Sequence, residues 1–400
     1  MNLTSGQLKF FVFLILFSPG IGLLGRTIYP FEIAALVYLS LSLLVNKTIT
    51  KHSGIVLLYI FVVLLILIVQ GFYYGQLMAL DLIRILPAFL ILFVVRTKDV
   101  EFQEMINFIV AICCCVALIG VVQTIDGLLL SNITGVSSIL SSLYPYAGEL
   151  TGSAAAKAGD YQLKISSAWS STSTFDGHPI LLADFLVLAT VLVCYFKRNF
   201  ALVIIMFALV TTFTRGAWVA AVAALLFRYL FMRRQVSWSE IFKFLAVVGA
   251  IGLVIYSVEP LRDYVEFRIL NTLASFDLIS GYDRGRIGDP RTETVWPAFF
   301  ELLSQSGIVA YLFGVPTNHS TDSGYLTYIQ NSGVTGALMV GALFLYFYRN
   351  MALDKGFVKL LFFTLSILFI VHPVFQGYRS VYFLGVLLLI FRKDEINHGR

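Results

Sequence analysis

Charge is scarce in this sequence. Of its 400 residues only 13% are Asp, Glu, Lys or Arg, while 58% are hydrophobic. Soluble domains carry about 25% charged and about 45–50% apolar residues. Too little charge is present to cover a soluble surface of this size, which excludes a soluble enzyme, a disordered chain and a collagen-like chain. Cysteine is scarce as well, with 4 in total. Cys113, Cys114 and Cys115 are consecutive within an apolar run and Cys194 closes another. Adjacent helical positions point roughly 100° apart, so the three cannot converge on one metal. No cysteine lies in a polar loop, so no disulfide framework is indicated, and these residues read as small packing groups. There is no G-x-x-x-x-G-K-[ST] for ATP-driven transport, no H-E-x-x-H, no Asp-x-Asp pair to hold a metal-bound sugar nucleotide, no arginine-rich voltage sensor and no internal repeat. The net charge of +5 is no nucleic-acid signature in so apolar a chain and is read loop by loop instead.

Long apolar runs are what remain, with a mean hydropathy of +0.86. They fall near 8–24, 29–45, 54–70, 80–95, 105–125, 179–196, 200–213, 216–231, 241–257, 323–347, 357–372 and 378–391. This pattern predicts an all-α polytopic membrane protein of about 12 helices in a single integral membrane domain over 1–400, each helix needing about 20 residues to cross. The pair 200–213 and 216–231 is short and reads as a hairpin or a partly re-entrant segment. The first run follows Lys9 as a secretory signal would, but no A-x-A cleavage site follows it, so it is read as the first span.

Seventeen of the 28 basic residues, among them Lys9, Lys47, Arg96, Lys197, Arg228, Lys355 and Arg392, fall in the ends and in every second short connection. By the positive-inside rule those loops are cytoplasmic, and both termini with them. Two long polar segments, 127–178 and 258–320, then lie on the outer side. Loops of that length in a compact protein are usually functional.

Basic residues that break the rule carry the functional signal. Arg215 stands in Thr214-Arg215-Gly216-Ala217-Trp218, Arg84 one turn after Asp81 in an apolar run, Arg379 in Gln376-Gly377-Tyr378-Arg379, and Arg291 in Asp289-Pro290-Arg291-Thr292-Glu293. A guanidinium suits bidentate binding of phosphate oxygens, and several at one depth suit a pyrophosphate whose tail lies in the bilayer. Each has a plainer reading: Arg84 pairs with Asp81, Arg215 snorkels beside Trp218 as an interface anchor, and Arg291 is a solvated loop charge. A second constellation, Thr317-Asn318-His319-Ser320-Thr321-Asp322-Ser323-Gly324-Tyr325-Leu326, runs into an apolar helix. Asp322 or Ser323 can cap that helix; alternatively Asp322 or His319 takes a proton from a sugar hydroxyl. Gly333 and Gly336 form a small-x-x-small pattern suited to helix packing. His178 precedes Pro179, which suits the first turn of a helix, and is also a candidate ligand or base.

At these residues the chain resembles the O-antigen polymerase and O-antigen ligase superfamily, including Wzy-type polysaccharide polymerases. Thr214 to Trp218 is similar to the family's [ST]-R-G-[AS]-W segment opening a transmembrane helix. Arg291 to Trp296 is similar to the arginine and tryptophan of its large periplasmic loop. Asp322-Ser323-Gly324-Tyr325-Leu326 with Gly333 and Gly336 is similar to its D/H-N-x-Y-L…G-x-x-G segment, and Phe175 to Ile180 to its re-entry segment. The resemblance covers about 175–336. It implies a GT-C-like, metal-independent glycosyltransferase of the bacterial inner membrane, without a cofactor, acting on an undecaprenyl-diphosphate-linked oligosaccharide among membrane lipids. Its expected partners are a chain-length regulator and a flippase. The implied site has Asp322 and His319 as base candidates, with Arg215, Arg291, Arg84, Arg379, His178 and Tyr325 around the substrate. Ligases carry His-Asn where this chain has Asp322-Ser323, which favours a polymerase, while His319 keeps the ligase reading open. A flippase or transporter for a lipid-linked oligosaccharide is the alternative of a different class.

Overall fold

The computed structural model describes residues 2–23, 26–45, 53–75, 80–98, 100–129, 135–144, 173–175, 179–212, 214–232, 296–315, 323–372 and 377–393, with 249, 253, 256 and 257 besides. The architecture is all-α. Its helices are α1 (Ser5–Phe17), α2 (Pro30–Val45), α3 (Ser53–Tyr74), α4 (Leu80–Val94), α5 (Phe102–Leu129), α6 (Val136–Leu143), α7 (Pro179–Tyr195), α8 (Asn199–Thr211), α9 (Arg215–Phe231), α10 (Trp296–Gln305), α11 (Gly307–Phe313), α12 (Gly324–Tyr346), α13 (Lys355–Val371) and α14 (Tyr378–Ile390). A π-helical turn, Phe347–Met351, extends α12. Among the described residues, Gly54–Tyr74, Phe102–Asp126 and Gly324–Met351 are long and apolar enough to cross a membrane, and six shorter apolar helices accompany them. The outward face of α3 exposes Leu57, Leu58, Phe61, Leu64, Ile68 and Phe72, the last at 91%. An apolar stripe of that extent suits contact with lipid rather than water.

The first apolar run departs from its expected form. Its helix ends at Phe17, because Ser18-Pro19-Gly20 cannot continue it, and Ile21–Leu23 instead pairs antiparallel with Arg26–Ile28. The start of α1 carries a reciprocal cap. Gln7 donates its backbone N–H to Thr4 Oγ1 at 3.3 Å, and Thr4 donates its own to Gln7 Oε1 at 3.0 Å. A parallel pairing of Asn2–Thr4 with Arg96–Lys98 ties this terminus to the end of α4. The expected span at 241–257 lies almost wholly outside the described residues.

Two helices form the centre. Every residue of α14 except Tyr378 is buried, and α7 is buried from Leu182 through Cys194. Their apolar residues face all ways rather than along one stripe, as a helix surrounded by helices requires. Gly385 of α14 lets Ala88 of α4 come close, since a Cβ there would lie 3.0 Å from the Ala88 carbonyl oxygen. Phe185 of α7 meets Phe383 of α14 edge to face at 4.9 Å.

The two ends of the bundle differ in chemistry. One end holds Lys9 against Glu104, and Arg198 Nη2 donating to Asn107 Oδ1 at 2.6 Å. There Asp354 caps α13 by accepting from the Gly356 N–H at 2.8 Å, and the Tyr195 hydroxyl donates to its other oxygen. Arg392, one of the basic residues that follow the positive-inside pattern, is buried and donates to the Leu92 and Val95 carbonyls at the end of α4. Arg228 is buried too, donating to Cys194 Sγ at 3.1 Å. Of the three neighbouring cysteines, Cys113 is buried, Cys114 half-buried and Cys115 exposed, the divergence that helical spacing requires.

Candidate functional site

The opposite end gathers the starts of α2, α7, α9, α12 and α14 with the ends of α1, α8 and α13, and of the residues singled out from the sequence Arg215, Arg379 and Tyr325 map here. Arg215 is the first residue of α9. The segment around it folds back on α8: Thr212 Oγ1 donates to the Leu209 carbonyl at 2.8 Å, Thr214 Oγ1 to the Thr212 carbonyl at 3.2 Å, and Trp218 Nε1 to the Leu209 carbonyl at 2.9 Å. Trp218 is thus the clasp of the α8–α9 hairpin, sharing with Thr212 a carbonyl in the last turn of α8. The Arg215 side chain lies outside the described residues, as does that of Arg84 in the second turn of α4. Arg291, His178, His319 and Asp322 lie wholly outside them. Ser323 occupies the N-cap position of α12 with extended backbone and makes no side-chain cap bond.

Arg379 stands at this end as expected, but its guanidinium is committed within the protein. It is buried, with Nη1 donating to the Ile15 carbonyl at 2.7 Å and Nη2 to the Ser18 carbonyl. The Tyr144 hydroxyl donates to the Phe17 carbonyl at 2.7 Å. The cation lies between the rings of Tyr29, Phe31, Tyr144 and Phe175, at 5.0, 5.7, 5.9 and 5.8 Å. A cation at the negative end of α1 surrounded by aromatic faces is a structural clamp. That geometry removes Arg379 from the expected substrate-binding set. With Arg392, it makes each end of α14 the cap of a neighbouring helix.

Tyr325 is 44% exposed, its hydroxyl donating to the Ser366 carbonyl at 3.1 Å and its ring 5.6 Å from Phe369. It lines an apolar groove of about 340 Å³ between α12 and α13, with Tyr328, Phe344, Tyr348, Phe362 and Phe369. The groove reaches from the first turn of α12 to the π-helical turn at its far end.

A backbone break interrupts α12 at the Gln330-to-Gly336 segment. Gly333 has φ 66°, and a Cβ there would fall 2.2 Å from the Leu312 carbonyl group of α11. Gly314, at φ 90°, is similarly close to the Gln330 carbonyl, at 2.6 Å. Gln70 of α3 bridges the break, its Nε2 donating to the carbonyls of Phe313 at 2.7 Å and Asn331 at 2.8 Å. Gly333 therefore serves close packing, as its spacing suggested, but through a left-handed residue that only glycine adopts cheaply.

One pair escaped the sequence reading. Asp184, in the second turn of α7, and His372, capping the end of α13, meet with Oδ1 and Nδ1 2.8 Å apart. Their side chains are 1% and 7% exposed. Asp184 is the only acidic residue of the 179–196 run, and an ionisable group inside an apolar helix marks a site by default. That signal was present; its partner, 188 positions away, was not visible. Gly324, the first residue of α12, is pressed against the end of α13, since a Cβ there would lie 2.5 Å from the His372 carbonyl oxygen. Phe185, next to Asp184, packs at 5.0 Å on Phe175 of the Arg379 cage. The start of α12, the pair and the clamp are thus contiguous.

Among the described residues no three His, Cys, Asp or Glu side chains are grouped to hold a metal ion. No known protein family matches this chain, and no characterised protein matches it either.

Proposed function

We propose that the chain is a polysaccharide polymerase of the inner membrane, built of about 12 spanning helices in a GT-C-like arrangement with both termini cytoplasmic. It transfers a glycan chain from an undecaprenyl-diphosphate donor to another lipid-linked repeat unit. The observation that carries this reading is the segregation of the bundle. Arg215 opens α9 and Gly324, two residues after Asp322, opens α12 at one end, which also holds a buried acid–imidazole pair. Among the described residues, the other end holds surface pairs such as Lys9 with Glu104 and Arg198 with Asn107.

The chemistry follows from the charges involved. The leaving group is a lipid diphosphate, which departs with negative charge. Arg215 and Arg291 supply fixed cations for that charge, Arg215 adding to the positive end of α9. Arg84 and His178 are further candidates for contacts to the substrate. A base removes the acceptor hydroxyl's proton as its oxygen attacks the anomeric carbon, and Asp322 and His319 are the loop candidates. No nucleotide is needed, because the diphosphate linkage carries the energy. The aromatic groove between α12 and α13 is open along the helices and suits an extended apolar tail, with Tyr325 at its head.

In cells, Arg215→Ala or Arg291→Ala should abolish chain elongation while the protein stays at normal amount in the membrane. Full-length polysaccharide from either variant would remove that residue from the mechanism. Ligation of the glycan to lipid A–core is the second reading, supported by His319. It is separated by whether loss of the protein shortens the chains or leaves them long and unattached.

A further inference from the structure

We propose that Asp184 and His372 form a catalytic dyad in which His372 is the general base and Asp184 its positioning residue. The proposal rests on the glycosyl-transfer reading above and assigns its base. Several features of the pair carry it. It joins two helices at the end of the bundle where α9 and α12 open, and the main chain of His372 adjoins the start of α12 at Gly324. Asp184 is the inner member, 1% exposed, and the remaining exposure of the pair belongs to the histidine, at 7%. Nδ1 faces the carboxylate, and among the described residues Nε2 has no hydrogen-bond partner.

A carboxylate that accepts from Nδ1–H fixes the tautomer in which Nε2 carries a lone pair, and it stabilises the imidazolium that forms on protonation. A purely structural contact between α7 and α13 would need neither an ionisable acid in an apolar helix nor a ring nitrogen left without a partner. Burying the carboxylate is costly unless it is paired, and its helix, buried from Leu182 to Cys194, supplies no other charge.

The acceptor hydroxyl's proton passes to Nε2 as its oxygen forms a bond to the anomeric carbon of the donor. The bond from that carbon to the diphosphate oxygen breaks, its electron pair leaving with the lipid diphosphate. The imidazolium then returns its proton to water at the outer surface. Nothing is oxidised or reduced.

The test uses full-length protein in proteoliposomes with purified undecaprenyl-diphosphate-linked repeat units, scored as an oligomer ladder. Absence of a ladder from the wild-type protein would refute the polymerase reading itself. With a wild-type ladder, His372→Gln, which keeps a donor toward Asp184, should lower kcat by about 10²-fold or more with KM little changed. Asp184→Asn should lower kcat by about tenfold or more, again with KM little changed. Added imidazole should restore about tenfold or more to His372→Ala and nothing to Asp322→Ala. A wild-type rate from either His372→Gln or Asp184→Asn, whichever accumulates normally, would overturn the proposal. Imidazole rescue confined to the position of His319 would overturn it too and give the role to the loop.

Discussion

Both ends of the bundle bury arginine, but only one has a buried acid–imidazole pair among the described residues. At one end Lys9 meets Glu104 with side chains 26% and 52% exposed and Arg198 reaches Asn107 on the surface, beside the buried scaffold cations Arg228 and Arg392. At the other, Arg379, Asp184 and His372 are all buried, each held by a defined partner. Water screens the surface pairs, so each adds little. The buried groups lie in a low-dielectric interior, where every partner matters and where a group left over is available for chemistry. The contrast separates roles: the solvated pairs add little, while buried charge builds either the scaffold, as Arg379, Arg228 and Arg392 do, or the site, as Asp184 and His372 are proposed to do.

Substitutions at buried groups should be the most costly. Arg379→Ala removes charged bonds to two carbonyls at the end of α1 and empties a cage of four aromatic rings. A loss of about 4 kcal/mol is expected, read as a large fall in melting temperature in detergent. A change below about 1 kcal/mol would show that Tyr144 alone suffices to cap α1. Next comes Gly333→Ala, which places a Cβ against the Leu312 carbonyl and forces a left-handed φ on alanine. About 3 kcal/mol is expected, checked in the same assay with Gly341→Ala as the control, since nothing lies within 4 Å of a Cβ there. At the other end Asp354→Ala should cost about 1–2 kcal/mol through loss of the α13 cap and the Tyr195 contact. Lys9→Ala should cost less than about 1 kcal/mol and less still at high salt. Equal costs for Arg379→Ala and Lys9→Ala would erase the distinction between buried and surface charge.

Much of the scaffold was legible from apolar runs bounded by loops. The predicted spans at 179–196, 323–347 and 378–391 correspond to Pro179–Tyr195, Gly324–Tyr346 and Tyr378–Ile390. The early end of α1 was missed because the stop at Pro19 and Gly20 is followed at once by further apolar residues. Ile21 and Leu23, which belong to a strand, keep the run going. The α12 break was visible as a polar, glycine-bearing segment, but not Gln70, which satisfies it from another helix. Arg379 looked like a ligand-binding cation because its acceptors are main-chain carbonyls of Ile15 and Ser18, which no side-chain pattern encodes. The Asp184–His372 pair required tertiary structure, since neither residue has a recognisable partner nearby in sequence.

The central claim is that this bundle joins lipid-linked glycans. It is tested most directly by reconstituting the purified protein into vesicles holding purified undecaprenyl-diphosphate-linked repeat units and resolving the products by length. The account requires a ladder of oligomers still attached to the lipid diphosphate. Movement of unjoined repeat units across the bilayer, with no ladder, would contradict it and identify a carrier instead.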